Sequence, residues 1–340
     1  MNLNFLIREM THLRYFVPIV QEGNKRGLQS KFLITNSNKY NCPFSHLEKL
    51  KLVCEENNIE IVNNMENLTG LFFVNETSGI DIANKIVSAG KCKLIVTTYQ
   101  TDFTACYDKY VKIADHILMP SKNIAKYYKL ENKKNLYVGI PKYDIELDRD
   151  KIVQKYSLNK NAKRVLVMWP KSRDIHKFPI DIIDNFDQLG WQVLVKARGK
   201  HPIQKKTKQE LIKRGNLYFY DDWYPHTSQE LLEVSDLVIN CGSTTIEECV
   251  MHEVPLINFD IKPEIRHGTK QKYRVTHDYL YNYKFCITKS ALTKDFNSSI
   301  LNAWIQYLYS QDLKSEFKKC KDEWLYDHKD TCKRLLNVLL

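Results

Sequence analysis

Glycine is scarce in this sequence, with 11 residues in 340, alongside 10 prolines, 6 methionines and 5 tryptophans. Neither glycine-rich phosphate loop can be assembled from them. G-x-x-x-x-G-K-[ST] is absent and no G-x-G-x-x-G follows the first strand candidate, which sets aside P-loop and dinucleotide-binding chemistry. Long apolar runs are missing too: nothing approaches the ~20 residues of a bilayer-spanning helix. The opening "MNLNFLIREMTHLRYF" carries Arg8 and Glu9 and no small-residue cleavage site, so it reads as a first strand, and cytoplasmic residence is expected. The nine cysteines are odd in number and never form C-x-x-C, which excludes a zinc ribbon or disulfide framework in favour of reduced thiols. There is no helix-turn-helix or zinc-finger spacing and no aromatic RNP-like strand, so a basic nucleic-acid-binding protein is the weaker reading. No internal repeat or low-complexity tract is present.

What the sequence does have is positive charge and alternation. The net charge of +11 favours an anionic partner, whether nucleic acid, anionic lipid or a phosphorylated small molecule. The densest basic stretch, Lys196–Gly215, holds eight Lys or Arg and reads mostly as a solvated helix face. Runs such as "RVLVMW", "WQVLVK" and "DLVIN" are continuously apolar and β-branched, as parallel strands covered on both faces require. Strands are expected at 4–7, 31–35, 59–62, 71–74, 93–97, 116–119 and 136–138, then at 164–168, 192–196, 217–220, 237–240, 256–259 and 284–288, with amphipathic stretches between most of them. The fold class is therefore α/β, with two Rossmann-like, doubly wound parallel-sheet domains. Gly, Pro and charge cluster near 140–163, which sets expected boundaries of 1–148, 149–312 and a final helical segment 313–340.

Ligands of open parallel sheets bind beyond the carboxyl ends of the strands, so the residues after each strand matter most. "SDLVINCGSTTIEECVMHEVPLINFD" reads strand, small polar turn, helix, strand. Gly242 permits close backbone approach, and Ser243, Thr244 and Thr245 add hydroxyls to the unpaired amides of a helix start, a setting for phosphate. Glu248, a turn further on, suits a ribose diol. Ser243 or Thr244 equally suits a plain helix cap. Two basic loops, with Lys171, Ser172 and Arg173 in one and Arg198, Lys200 and His201 in the other, follow strands of the same sheet and would add cations around a diphosphate. Trp223 offers either a face for a nucleobase or cover for an apolar edge.

Five elements occur in order: "VGIPKYD", "WPKSRD", "KHP", "SDLVINCGSTTIEE" and "FDIKPEIRHG". Together they resemble the CDP-glycerol glycerophosphotransferase family, and more broadly the pattern is similar to GT-B glycosyltransferases and the fold-related UDP-N-acetylglucosamine 2-epimerases. The resemblance implies two domains facing across a cleft, with Ser243, Thr244, His201 and Arg173 on donor phosphates and Glu248 on the ribose. It makes Gly139, Pro141 and Asp144 structural and brings the last helix back to the first domain. The glycerophosphotransferases' Trp-His-Gly element has no counterpart here; the comparable strand end reads "TTYQTDF".

The expected activity is transfer of a sugar from a nucleotide-diphosphate donor to an acceptor hydroxyl. No D-x-D follows a strand in a suitable loop, so metal independence is expected, with no cofactor besides the substrate. Polyol-phosphate transfer from a CDP-activated donor and 2-epimerisation are the alternatives. Candidate bases are His12 and Asp102, with Glu9 third; His12 also suits an ordinary helix start and Asp102 a cap. A glycan or lipid-linked acceptor and peripheral membrane association are compatible with the basic surface, and nucleic acid is not expected as a partner.

Overall fold

The computed structural model describes residues 1–36, 42–76, 79–98, 107–169, 181–197, 203–218, 223–241, 245–259, 278–289, 297–325 and 330–340. The chain divides into two compact units, Met1–Ile145 with Asp322–Leu340, and Glu146–Lys321.

The first unit holds β1 (Asn2–Ile7), β2 (Gln29–Ile34), β3 (Ile59–Val62), β4 (Gly70–Asn75), β5 (Cys92–Thr97), β6 (His116–Met119) and β7 (Asn135–Tyr137). They form one sheet in the order β3-β2-β1-β4-β5-β6-β7, with every neighbouring pair parallel. Helices α1 (Leu13–Lys25), α2 (Leu47–Glu56), α3 (Ile80–Ala89), α4 (Tyr107–Ile113) and α5 (Lys122–Tyr127) alternate with the strands. Two of the few glycines explain how tightly these layers pack. A Cβ on Gly23 of α1 would lie 2.6 Å from Leu3 Cδ1 of β1. Gly79, at φ +89°, starts α3 in a left-handed conformation pressed against the Leu6 side chain.

The second unit holds β8 (Arg164–Met168), β9 (Gln192–Lys196), β10 (Leu217–Tyr218), β11 (Leu237–Cys241), β12 (Leu256–Phe259) and β13 (Cys286–Lys289), in the order β10-β9-β8-β11-β12-β13, again all parallel. Its helices are α6 (Arg149–Lys155), α7 (Asp181–Gln188), α8 (Lys205–Lys213), α9 (Thr227–Glu233), α10 (Thr245–Met251), α11 (Ser298–Tyr309) and most of α12 (Leu313–Trp324). β8, β11 and β12 are buried along their whole length. One face, with Val165, Val167, Ile239 and Ile257, packs on Phe186 of α7 and Leu301 and Leu308 of α11. Each such side chain contributes about 1.5–3 kcal/mol on burial.

The tail helix α13 (Thr331–Leu339) belongs to the first unit. The Asp144 carboxylate accepts from the Cys332 N–H at 2.7 Å, satisfying an amide of its first turn. Arg26 and Arg334 donate to the Lys333 and Val138 carbonyls at 3.0 and 3.2 Å. Among the described residues no helix is long and apolar enough to cross a membrane. The eight cysteines there are free thiols, seven of them buried.

Candidate functional site

Each sheet has one place where the strand order reverses. In the second unit the chain builds β8, β9 and β10 outward, then returns to lay β11 against the other side of β8. Crossovers leave this point on opposite faces, so a crevice opens at the carboxyl ends there. Ile239 pairs with Val167, and the two strands end side by side at Cys241 and Met168. The loop carrying Lys171, Ser172 and Arg173 and the turn carrying Gly242, Ser243 and Thr244 follow these adjacent strand ends in sequence. Those residues, with His201 and Asp102, lie outside the described residues.

The described rim of this point is polar on one face. Away from the apolar cluster, the last inward side chains are Lys196 on β9, Asn240 on β11 and Asn258 on β12, all buried. Asn240 and Asn258 are paired in register, and Asn240 Nδ2 donates to Asn258 Oδ1 at 2.8 Å. Asn258 Nδ2 is buried without a partner among the described residues, and a buried amide donor in that state calls for a water or a ligand. Lys196 lies opposite Met168 in the ladder, and its Nζ donates to the Ala197 carbonyl at 2.8 Å. An ammonium held in so little water favours an anion nearby. Lys196 was legible only as the end of a strand; the signal was a cation closing an otherwise apolar run.

Above this rim sits α10. Thr245, Glu247 and Glu248 are all buried in its first turns. Burial, and then the Glu248 carboxylate, push the Cys249 thiol well above its ordinary range, which leaves it inert as a nucleophile. Trp223 is 8% exposed and bridges to His226 in a short antiparallel contact. Within α9, Glu230 accepts from Lys155 Nζ at 2.9 Å and from Tyr156 OH at 2.6 Å, which fixes the end of α6 to α9.

In the first unit the reversal falls between β1 and β4. Its rim is acidic. Glu9 follows β1 and Glu76 follows β4, each 5% exposed. The Glu76 N–H donates to the Thr97 carbonyl at 3.0 Å, so the β4–β5 ladder runs on to the carboxylate-bearing residue. Asn75, Thr97 and Thr98 are buried beside it, with Asn75 Nδ2 3.4 Å from Thr97 Oγ1. Thr11 Oγ1 donates to Glu9 at 3.4 Å. His12 has no exposed surface and lies in a 3-10 turn, Met10–His12. Its Nδ1 stands 3.4 Å from both the Leu6 carbonyl and the Arg8 N–H, and its ring meets Phe16 edge-on at 5.9 Å. Nδ1 accepts from the Arg8 N–H in one tautomer and donates to the Leu6 carbonyl in the other, so the backbone holds the ring in place in both. Glu76 is a candidate that the sequence reading did not single out; an acid directly after "LFFVN" was the available signal. Lys142 is also buried, its Nζ 4.5 Å from the Tyr143 ring centre.

No family model matches the chain, and no curated protein matches it. Solved structures do. The chain is similar to UDP-GlcNAc 2-epimerase from Neisseria meningitidis bound to UDP-GlcNAc, at 12% identity over 100% of this chain and 99% of that one, with a TM-score of 0.62. It is similar to the wall teichoic acid polymerase TagF soaked with CDPG, at 10% identity over 100% and 88%, with a TM-score of 0.67. A third is MurG from Acinetobacter baumannii, at 10% identity over 100% and 99%, with a TM-score of 0.56. Two all-parallel α/β units with one order reversal each, matched over the full chain by these proteins, give this protein the GT-B fold.

Proposed function

We propose that this protein is a glycosyltransferase that moves a sugar from a nucleotide-diphosphate donor to an acceptor hydroxyl without a metal. One observation carries the reading: the strand-order reversal of the second unit is rimmed by buried Lys196 and by the Asn240–Asn258 amide pair, beneath buried Glu248. The donor diphosphate lies at that point, held by Lys196 with Arg173, Lys171, Ser172, His201 and the hydroxyls of Ser243, Thr244 and Thr245. Gly242 admits it closely, Glu248 accepts from the ribose, and Trp223 lies on the nucleoside side. In the reaction the acceptor oxygen bonds to the anomeric carbon and the bond from that carbon to the phosphate oxygen breaks. The nucleoside diphosphate leaves with the electron pair, and cations stabilise its growing charge. A base takes the hydroxyl proton. Glu76 is the leading candidate from the first unit, ahead of His12, Asp102 and Glu9. Neighbours of the same fold bound to UDP-GlcNAc or soaked with CDPG support a nucleotide-linked donor.

The two buried carboxylates Glu9 and Glu76 favour one second reading, 2-epimerisation, which moves a proton on the sugar and needs no acceptor. Incubation with UDP-, GDP- and CDP-activated donors tests both. Donor consumption only when acceptor is added supports transfer. A C2 epimer formed from UDP-GlcNAc alone replaces it with epimerisation, and consumption of CDP-glycerol alone replaces the sugar with a polyol phosphate. No thermal stabilisation by any nucleotide diphosphate would overturn the donor site itself.

A further inference from the structure

Residues 107–137 carry seven lysines against three carboxylates, the latter Asp108, Asp115 and Glu131. Lys122 and Lys126 on α5, and Lys129 and Lys133 in the turn after it, are exposed. The turn docks on α4: Tyr107 OH donates to the Leu130 carbonyl at 2.8 Å and Lys134 Nζ to the Val111 carbonyl at 2.9 Å. Exposed Lys112, next to Val111, thereby joins the same region. Of the carboxylates, Asp115 is committed to the Leu94 N–H at 2.7 Å, while Asp108 and Glu131 are exposed, as are Asp322 and Glu323 beside α5. Among the lysines stands an aromatic knot. Tyr127, 44% exposed, meets Tyr128 edge-on at 4.9 Å and Trp324 edge-on at 5.6 Å. The Trp324 carbonyl accepts from Ser121 Oγ at 2.7 Å, which fixes the knot to the start of α5.

We infer that this surface docks the protein on an anionic lipid bilayer. Lysines meet the headgroup phosphates, and Tyr127 with Trp324 seats at the interface, where rings with one apolar and one polar end are most stable. Single-stranded nucleic acid would need open ring faces for its bases; here the rings are locked edge-to-face against one another. The surface runs along α5, from Lys122 just after the carboxyl end of β6 to Lys129 and Lys133 before the amino end of β7. The inference stands apart from the proposed reaction and can fail or hold without it.

The test is sedimentation of the full chain with vesicles of phosphatidylcholine alone or mixed with phosphatidylglycerol. Binding is expected only to the mixed vesicles and should fade as ionic strength rises. The triple change Lys126→Glu, Lys129→Glu and Lys133→Glu should weaken partitioning about a hundredfold, and Tyr127→Ser about tenfold. Far-UV circular dichroism and an unchanged urea midpoint establish that both variants are folded. Equal binding to neutral vesicles, or wild-type binding by the folded triple variant, overturns the inference. So does single-stranded RNA that displaces the vesicles and loses its own binding in the triple variant.

Discussion

The two order reversals sit at the same topological place in two similar sheets, yet they are furnished with opposite chemistry. The second unit's strand ends carry a buried ammonium and two amides, with the Glu247 and Glu248 carboxylates in the helix that follows; the first unit's rim has two buried carboxylates and an immobilised imidazole and, among the described residues, no buried ammonium at its strand ends. Fixed cations and amides hold charge still, which suits a bound diphosphate. Carboxylates and histidine exchange protons, which suits the reacting hydroxyl. On the proposed reading, one architecture supplies two kinds of rim, and the side chains at the last rungs set the difference.

The sharpest way to break this contrast is Glu76→Gln. It keeps the size and removes the proton acceptor, so donor turnover should fall by ~10²–10⁴-fold while stabilisation by nucleotide diphosphate stays unchanged. Weaker nucleotide binding with intact turnover would exchange the roles of the two rims. Lys196→Met should do the converse, weakening nucleotide diphosphate affinity about 10–100-fold, the range of a hydrogen bond to a charged group, as calorimetry would show. Asn258→Ala leaves Asn240 Nδ2 without its acceptor and should cost about 1–3 kcal/mol in urea unfolding; the double change to Leu should cost less. The smallest effect concerns the thiols. Burial lifts Cys54 and Cys286 from 9.0 to about 12. Because the folded values are the raised ones, the stability they give is complete below pH 9 and drains away between pH 9 and about 12, as unfolded thiols ionise first. Cys286→Ala should flatten the fall of the urea midpoint across that range and leave neutral pH untouched.

Strands were the most legible part of the sequence. "RVLVM", "QVLVK" and "LINF" have mostly apolar interiors because both faces are covered, and their ranges agree with the structure to the residue. β13 is displaced: it was expected at 284–288 and lies at Cys286–Lys289, since Tyr283 and Phe285 stack at 5.4 Å and Phe285 stacks on Phe317 of α12 at 4.5 Å. That packing joins residues distant in sequence and leaves no periodic trace. The site divides the same way. Glu248 could be named as a candidate because a polar turn and a helix precede and carry it. Lys196, Asn258 and Glu76 could not, because each is an ordinary strand-end residue until strand order shows which ends adjoin the reversal. Glu230, bound to Lys155 and Tyr156 some 75 positions away, had no local signal at all.

The capping of α13 by Asp144 has a consequence for biosynthesis. The first unit is composed of residues 1–145 and 322–340, so the second unit is, topologically, an insertion held at both ends. A nascent chain emerging from the ribosome can close the Glu146–Lys321 body while its predecessor still lacks a helix. The first unit is therefore complete only after the body inserted within it has been made, and α13 then covers the α1 surface it packs on.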